Sequence, residues 1–236
     1  MPLRQEGHGS VYDAALGVAE RETDVWGTRM LKIWGRNTSS NVQKAMFAVG
    51  ELGLAHERID IGGAFGKNRE AAYLAMNPNG LVPTLEEDGF LLWESNSIIR
   101  YLAAKFGAGT LEPTDLRTRA LASKWMDWQL SVLGPAMTPV FWNLVRTPPD
   151  KRDHKAIDDG KAKSTAAVKI LDAQFAKTAF AASHAFSMGD IPIAIICRRY
   201  RELVPDRPAF ANFERWYAAI AGRKAFRDHV ASVPLT

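Results

Sequence analysis

Two short stretches of the chain carry residue types suited to holding a charged peptide. In the first, Asn77-Pro78-Asn79-Gly80 leads into Leu81-Val82-Pro83-Thr84. The bond before Pro83 is a tertiary amide, so its cis form costs little. A cis bond there would turn the Val82 amide and carbonyl outward, and an extended peptide could pair with them as an added strand. In the second, Glu94-Ser95 stands where an apolar strand gives way to a helical pattern. A serine opening a helix offers a carboxylate its hydroxyl and the unpaired N–H groups of the first turn. Glu94 beside it can take an ammonium. A short peptide with a carboxylate and an amine at one end suits both.

The elements that must position these groups follow from periodicity. Residues 31–34 read as a strand, and Val42, Ala45, Met46, Val49 and Leu52 fall at helical spacing with Gly53 just past the end. Residues 56–61 read as a second strand. A glycine-rich loop at Gly62, Gly63 and Gly66 precedes a short helix over 71–76. Residues 82–85 and 90–93 form a hairpin across Glu87-Asp88-Gly89. Ile98, Ile99, Tyr101 and Leu102 then line a third helix. This order predicts an α/β layer over residues 30–106.

Residues 107–115, with Pro113, read as a linker. From 116 to 236 the period is helical, which predicts an all-α domain. One helix is expected over 116–133, interrupted near Pro135 and Pro139, and a firm break at Pro148-Pro149-Asp150. A long helix is expected over 153–182, another after a Ser187/Asp190 capping box, and a last one over 210–226. Residues 1–29 do not fit the pattern that follows and lack the apolar core of a signal sequence. They read as a flexible extension, or Met30 is the true start.

Composition narrows the function classes. The chain has 236 residues, 47% hydrophobic and 24% charged, the ordinary globular range. The net charge is +4 and the pI near 9.2. Basic residues are interspersed with acids rather than clustered, which argues against nucleic acid as the partner and leaves room for small anions. Cys197 is the only cysteine, so no internal disulfide and no cysteine metal cluster can form. The five histidines are too dispersed to pair as ligands, and no metal is expected. No apolar run approaches the roughly 18 residues of a spanning helix, so no membrane role is expected. A reducing, cytoplasmic setting is the simplest reading.

Val82-Pro83, Glu94-Ser95, the following Ile98-Ile99-Arg100-Tyr101-Leu102, and Ser187-Met188-Gly189-Asp190 occur in an order that resembles the glutathione S-transferase family. Trp34-Gly35-Arg36-Asn37 and Trp125-Met126-Asp127-Trp128-Gln129 are most similar to its bacterial theta- or nu-related members. The likeness runs from about residue 30 to the C-terminus. It implies a thioredoxin-like N-terminal domain followed by an all-helical C-terminal domain, glutathione as co-substrate, small electrophiles (halogenated ones among them) as acceptors, and a homodimer. It also implies that Val82 and Pro83 hold the cysteinyl moiety, that Glu94 and Ser95 hold the γ-glutamyl end, and that Asn68, with Lys67 beside it, reaches the glycyl carboxylate.

The implied chemistry needs a thiolate. A free thiol has a pKa near 8.5, and helix N-termini and hydrogen-bond donors lower it. The donors should come from the first strand–helix turn, residues 36–41. The chain departs there from two familiar patterns, with Trp34 where tyrosine-type members have Tyr and no Cys in the turn. A hydroxyl or amide donor is left, Ser39 first and Asn37 second, although a serine there can also be only the helix N-cap. The electrophile is expected against the second domain, near Trp128, Phe141, Trp142 and Arg146, which can equally be core. Two other readings stand beside this one: a binding module that keeps the fold without catalysis, and a thiol–disulfide exchanger that would have to use Cys197.

Overall fold

The computed structural model describes residues 30–236, so the reading of residues 1–29 lies outside the described residues. The N-terminal half is built on strands β1 (Leu31–Trp34), β2 (His56–Ile59), β3 (Thr84–Glu87) and β4 (Phe90–Trp93). They form one mixed sheet in the order β2-β1-β3-β4. β1 runs parallel to β2, with Leu31 opposite His56, and antiparallel to β3, with Trp34 opposite Thr84. A parallel neighbour needs a crossover, and helix α1 (Ser40–Glu51) supplies it. Alternation along β1 sends Leu31 and Ile33 into the core. The β3–β4 hairpin turns at Asp88 and Gly89, whose φ angles of 51° and 82° suit a tight two-residue loop.

Helices α2 (Ala71–Met76) and α3 (Ser95–Phe106) complete this thioredoxin-like half. The strands are shifted or shortened relative to expectation. β2 stops at Ile59, and the third strand begins at Thr84 rather than Val82, because Val82 and Pro83 make no ladder partners. α1 is buried on nearly every side from Val42 to Val49, not only on the apolar face read from spacing. Its second face meets the helical half: Phe47 lies 5.7 Å from Phe186 and 5.6 Å from Phe226 between ring centres. Arg223 Nε donates to Glu51 Oε1 at 2.8 Å across the same boundary.

The helical half contains α4 (Leu116–Trp128), α5 (Gly134–Phe141), α6 (His154–Phe175), α7 (Asp190–Leu203), α8 (Ala211–Ala221) and the short α9 (Lys224–Phe226). The expected interruption near Pro135 and Pro139 is absent. α4 and α5 belong to one rod extending to Arg146, with wider π-type turns at Gln129–Leu133 and Trp142–Arg146. Proline removes one donor and crowds the carbonyl four residues earlier. Pro135 directly follows the first wide turn and Pro139 lies inside α5 before the second, so the looser π-type turns take up the mismatch around both.

The helix expected over 153–182 ends instead at Phe175. The chain then bends towards α7, with Thr178 Oγ1 donating to the Phe180 carbonyl at 2.7 Å and Ala181 N–H donating to Asp190 Oδ1 at 2.8 Å. The last expected helix breaks at Gly222 and Arg223 into α8 and α9.

Asp190 organises the start of α7. Its buried carboxylate accepts from Ser187 N–H at 3.1 Å, as in a capping box, and also from Trp216 Nε1 at 2.9 Å. The reciprocal half of the box is altered, since Ser187 Oγ accepts from Gly189 N–H at 3.4 Å rather than from Asp190. Among the described residues, no helix is long and apolar enough to cross a membrane.

Candidate active site

The loop before Pro83 is pinned by polar side chains. Tyr73 Oη donates to the Leu81 carbonyl at 2.7 Å and meets Thr84 Oγ1 at 2.9 Å. Asn77 Nδ2 donates to the same Leu81 carbonyl at 2.9 Å, while its Oδ1 accepts from Asn79 N–H at 3.1 Å. Asn68 Nδ2 donates to the Gly80 carbonyl at 2.7 Å. These bonds fix the approach to Val82, and the Val82–Pro83 peptide bond is cis. Asn68 is thereby committed through its amide nitrogen to the loop. Lys67 beside it is exposed, at a φ of 64°. Tyr73 and Thr84 were not singled out in the sequence, where one phenol and one threonine carry no distinguishing pattern.

Arg36 comes to the same corner. A Cβ on Gly62 would stand 3.3 Å from Arg36 Nη1, 3.4 Å from Val82 Cγ1 and 3.8 Å from Asn68 Cγ. One on Gly63 would stand 2.7 Å from Arg36 Nε. Both glycines have positive φ, so backbone conformation and space alike favour glycine here. Burial, and then the nearby Arg146, lower the Arg36 pKa below the usual guanidinium value.

Glu94 precedes α3 with a φ of 71°, a conformation rare for a residue with a side chain and often found at ligand sites. Its side chain is exposed, and Ser95 is buried at the first position of α3. Ser95 Oγ donates to Asn41 Oδ1 on α1 at 3.4 Å. Asn41 lines the cleft described next, so Ser95 is one side chain removed from it.

That cleft lies between the start of α1 and the rod and α7 of the helical half, and it has two chambers. The smaller, about 150 Å³, is lined by Arg36, Ser39, Ser40, Phe141, Trp142, Arg146 and Arg199 among others. The larger, about 620 Å³, is lined by Ser40, Asn41, Lys44, Gln129, Met137 and Arg199 among others. Ser40, Thr138 and Arg199 belong to both. Of the residues expected from the sequence, Ser39, Phe141, Trp142 and Arg146 therefore share one chamber.

Ser39 is the N-cap of α1, yet its hydroxyl makes no capping hydrogen bond. The alternative that Ser39 is merely a side-chain cap is thus not what the geometry shows. Asn37 lies apart: it borders a separate cavity with Met46, Arg58 and His229, and its carbonyl accepts from Gln43 Nε2 at 3.0 Å. Trp128 lines neither chamber and packs edge-on to Trp125 at 5.1 Å, on the core side.

The cleft is positively charged. Lys44 is 1% exposed, and burial, then the nearby Arg199, lower its pKa to about 7 against the opposing pull of Glu94. Arg199 stacks on the Phe141 ring at 3.7 Å and is lowered to about 10, by burial first and then by Arg146 and Arg198. Neither cation was found from the sequence, because their burial depends on how the two halves meet. Cys197 is fully buried in α7, and burial pushes its thiol well above the ordinary value. A reactive cysteine needs access and a low pKa. The thiol–disulfide reading has neither.

A cis Val82–Pro83 bend, a helix N-terminus whose serine makes no capping bond, and a cationic cleft with aromatic walls together suit an anionic ligand and a second reactant. Comparison with known proteins agrees. The family model for the glutathione S-transferase N-terminal domain matches residues 38–105. The chain is 41% identical over 209 residues to Glutathione S-transferase GstB of Escherichia coli, covering 88% of this chain and all of that protein. It is 31% identical to Glutathione S-transferase 3 of Zea mays, over 87% of this chain and 95% of the relative. Its fold matches the crystal structure of the theta class glutathione S-transferase from Xanthomonas axonopodis pv. citri with glutathione bound. The TM-score is 0.84 at 40% identity, over 88% of this chain and all of that one. The chain belongs to the glutathione S-transferase family.

Proposed function

We propose that the protein binds glutathione along the Val82 edge and transfers it, as the thiolate, to small electrophiles held against the rod. Val82 and Pro83 receive the cysteinyl part. Glu94 and Ser95 receive the γ-glutamyl end at the start of α3, and Lys67 and Arg36, with the second amide N–H of Asn68, receive the glycyl carboxylate. Ser39 donates a hydrogen bond to the sulfur, aided by the positive end of α1. Asn37 was the second candidate for that role, and its place beside another cavity argues for Ser39. Phe141, Trp142 and Arg146 bound the electrophile, for which small halogenated carbon compounds are the proposed class.

The observation that carries this reading is the Ser39 hydroxyl, left unbonded by its own helix and opening on the cleft. A donor aimed at the sulfur stabilises the charge that the reaction requires, and holding both reactants together lowers the barrier further. Exposed Phe90, Trp93 and Phe106 on β4 and α3 supply apolar area for a homodimer. The buried reduced thiol of Cys197 is compatible with the cytoplasm.

Two substitutions test the assignment. Ser95→Ala should weaken glutathione binding by about 1 to 3 kcal/mol, read by titration calorimetry, since a charged group loses a hydrogen bond. Ser39→Ala should leave binding nearly intact while raising the pH at which the ultraviolet absorbance of bound thiolate appears. Wild-type behaviour in both variants sinks the assignment. Binding by the wild type without conjugation of any halide would favour a non-catalytic module.

A further inference from the structure

The larger chamber contains charge that no carboxylate among the described residues pairs with. Lys44 is almost completely buried, yet among the described residues it makes no hydrogen bond or ion pair. Glu94 acts on it through space, without forming a hydrogen bond or ion pair with it. Arg199, in the wall of the same chamber, has an aromatic ring as its partner and, among the described residues, no carboxylate. Gln129 is 2% exposed and its Oε1 has no hydrogen-bond partner. The remaining wall includes Leu130, Met137, Pro139 and Ile196, which are apolar.

Burying a cation without a partner is strongly unfavourable. Two of them in one chamber repel each other as well. An anion lodged between them would offset both costs, while the apolar wall takes an uncharged body. The tripeptide as placed above leaves that position open: Val82, Asn68 and Arg36 line no part of this chamber, and Ser95, proposed for the γ-glutamyl end, reaches it only through Asn41.

We propose that the chamber bounded by Lys44, Arg199 and Gln129 selects electrophiles that carry a carboxylate or sulfonate on an apolar body. This inference rests on the transferase reading and narrows its substrate class. In the reaction, the thiol proton is lost to solvent and the thiolate sulfur forms a bond to the electrophilic carbon. The carbon–halogen bond breaks, and halide leaves with the bonding pair. The substrate's anionic group is unchanged throughout and sits between Lys44 and Arg199.

The test compares 4-(chloromethyl)benzoate with 4-(chloromethyl)benzamide, which share size and leaving group and differ in charge. kcat/KM is measured for each with the full chain, for wild type, Lys44→Met and Arg199→Met. The expected result is an acid-over-amide preference in the wild type that falls about tenfold in each variant, mostly through loss on the acid. The second variant keeps the test open if the first does not fold. An unchanged ratio, with the amide still conjugated, overturns the anionic-substrate inference and leaves the transferase reading standing. A rise in the KM for glutathione that is equal for both halides, at constant ratio, also overturns it, because Lys44 then belongs to the tripeptide. If the wild type conjugates neither halide at any glutathione concentration, the transferase reading itself fails and the inference with it.

Discussion

Asp190→Ala should lower the stability of the protein by about 3 to 5 kcal/mol at neutral pH, which is a large share of what a folded domain possesses. The carboxylate accepts from Ala181 N–H, Ser187 N–H and Trp216 Nε1, all in the interior. Alanine leaves these donors without a partner, at about 1 to 3 kcal/mol each, partly offset because a desolvated charge is also removed. That offset has a definite pH dependence. Burial raises the Asp190 pKa from 3.8 to about 6 despite the hydrogen bonds it accepts. The folded form therefore holds its proton more tightly than the unfolded chain. The stability contributed by that proton is complete below pH 3.8 and is lost as pH rises through 6. Alanine does not titrate, so the deficit of the variant should grow as the pH is lowered from 7 towards 5. Urea midpoints at fixed protein concentration, measured at both pH values, provide the check. A deficit below 1 kcal/mol would mean that the α7 start is held by packing alone.

Lys44→Met should have the opposite effect and stabilise the free protein. The Lys44 pKa falls from 10.5 to about 7 on folding, with burial as the main cause. The folded form releases its proton above pH 7, whereas the unfolded chain keeps it up to 10.5. Between those values the unfolded chain binds more protons, so stability rises with pH, and the full cost of the charge is felt below 7. At 1.36 kcal/mol per pH unit the ceiling is roughly 4 to 5 kcal/mol. Relaxation and water entry should reduce the gain to about 2 to 3 kcal/mol at pH 6. The gain should shrink as pH approaches 10. A variant destabilised equally at pH 6 and pH 9.5 would show that Lys44 has a favourable role in the free fold.

The strands, α1, α3 and the hairpin were legible because each carries its own signal: alternation in β1, an Asp-Gly turn before β4, a helical stripe ending at Gly53. The residues proposed to bind the peptide were singled out for the same reason, since Val82-Pro83 and Glu94-Ser95 are local patterns. What escaped was whatever depends on distant partners. α6 ends at Phe175 because Asp190, across a loop, draws the following chain away. Lys44 looks like a solvated helix residue until the rod and α7, with Met137, Ile196 and Arg199, close against its side of α1. The prolines at 135 and 139 look like a stop because nothing in residue type announces a wide helical turn. Asn37 and Ser39 are two positions apart in one polar turn, and only the direction of the chain assigns them to different cavities.

The two wide turns flanking α5 have a consequence for how such a cleft can be retuned. Each accommodates an extra residue within an otherwise regular rod, and one residue corresponds to about 100° of rotation about the axis. The azimuth at which Phe141 and Arg146 meet the opposing wall is therefore set by the phase accumulated at residues 129–133 and 142–146, not by their own identity. A lineage could swing a different side chain into contact with a reactant by gaining or losing a single position there, leaving every neighbouring letter of its code untouched.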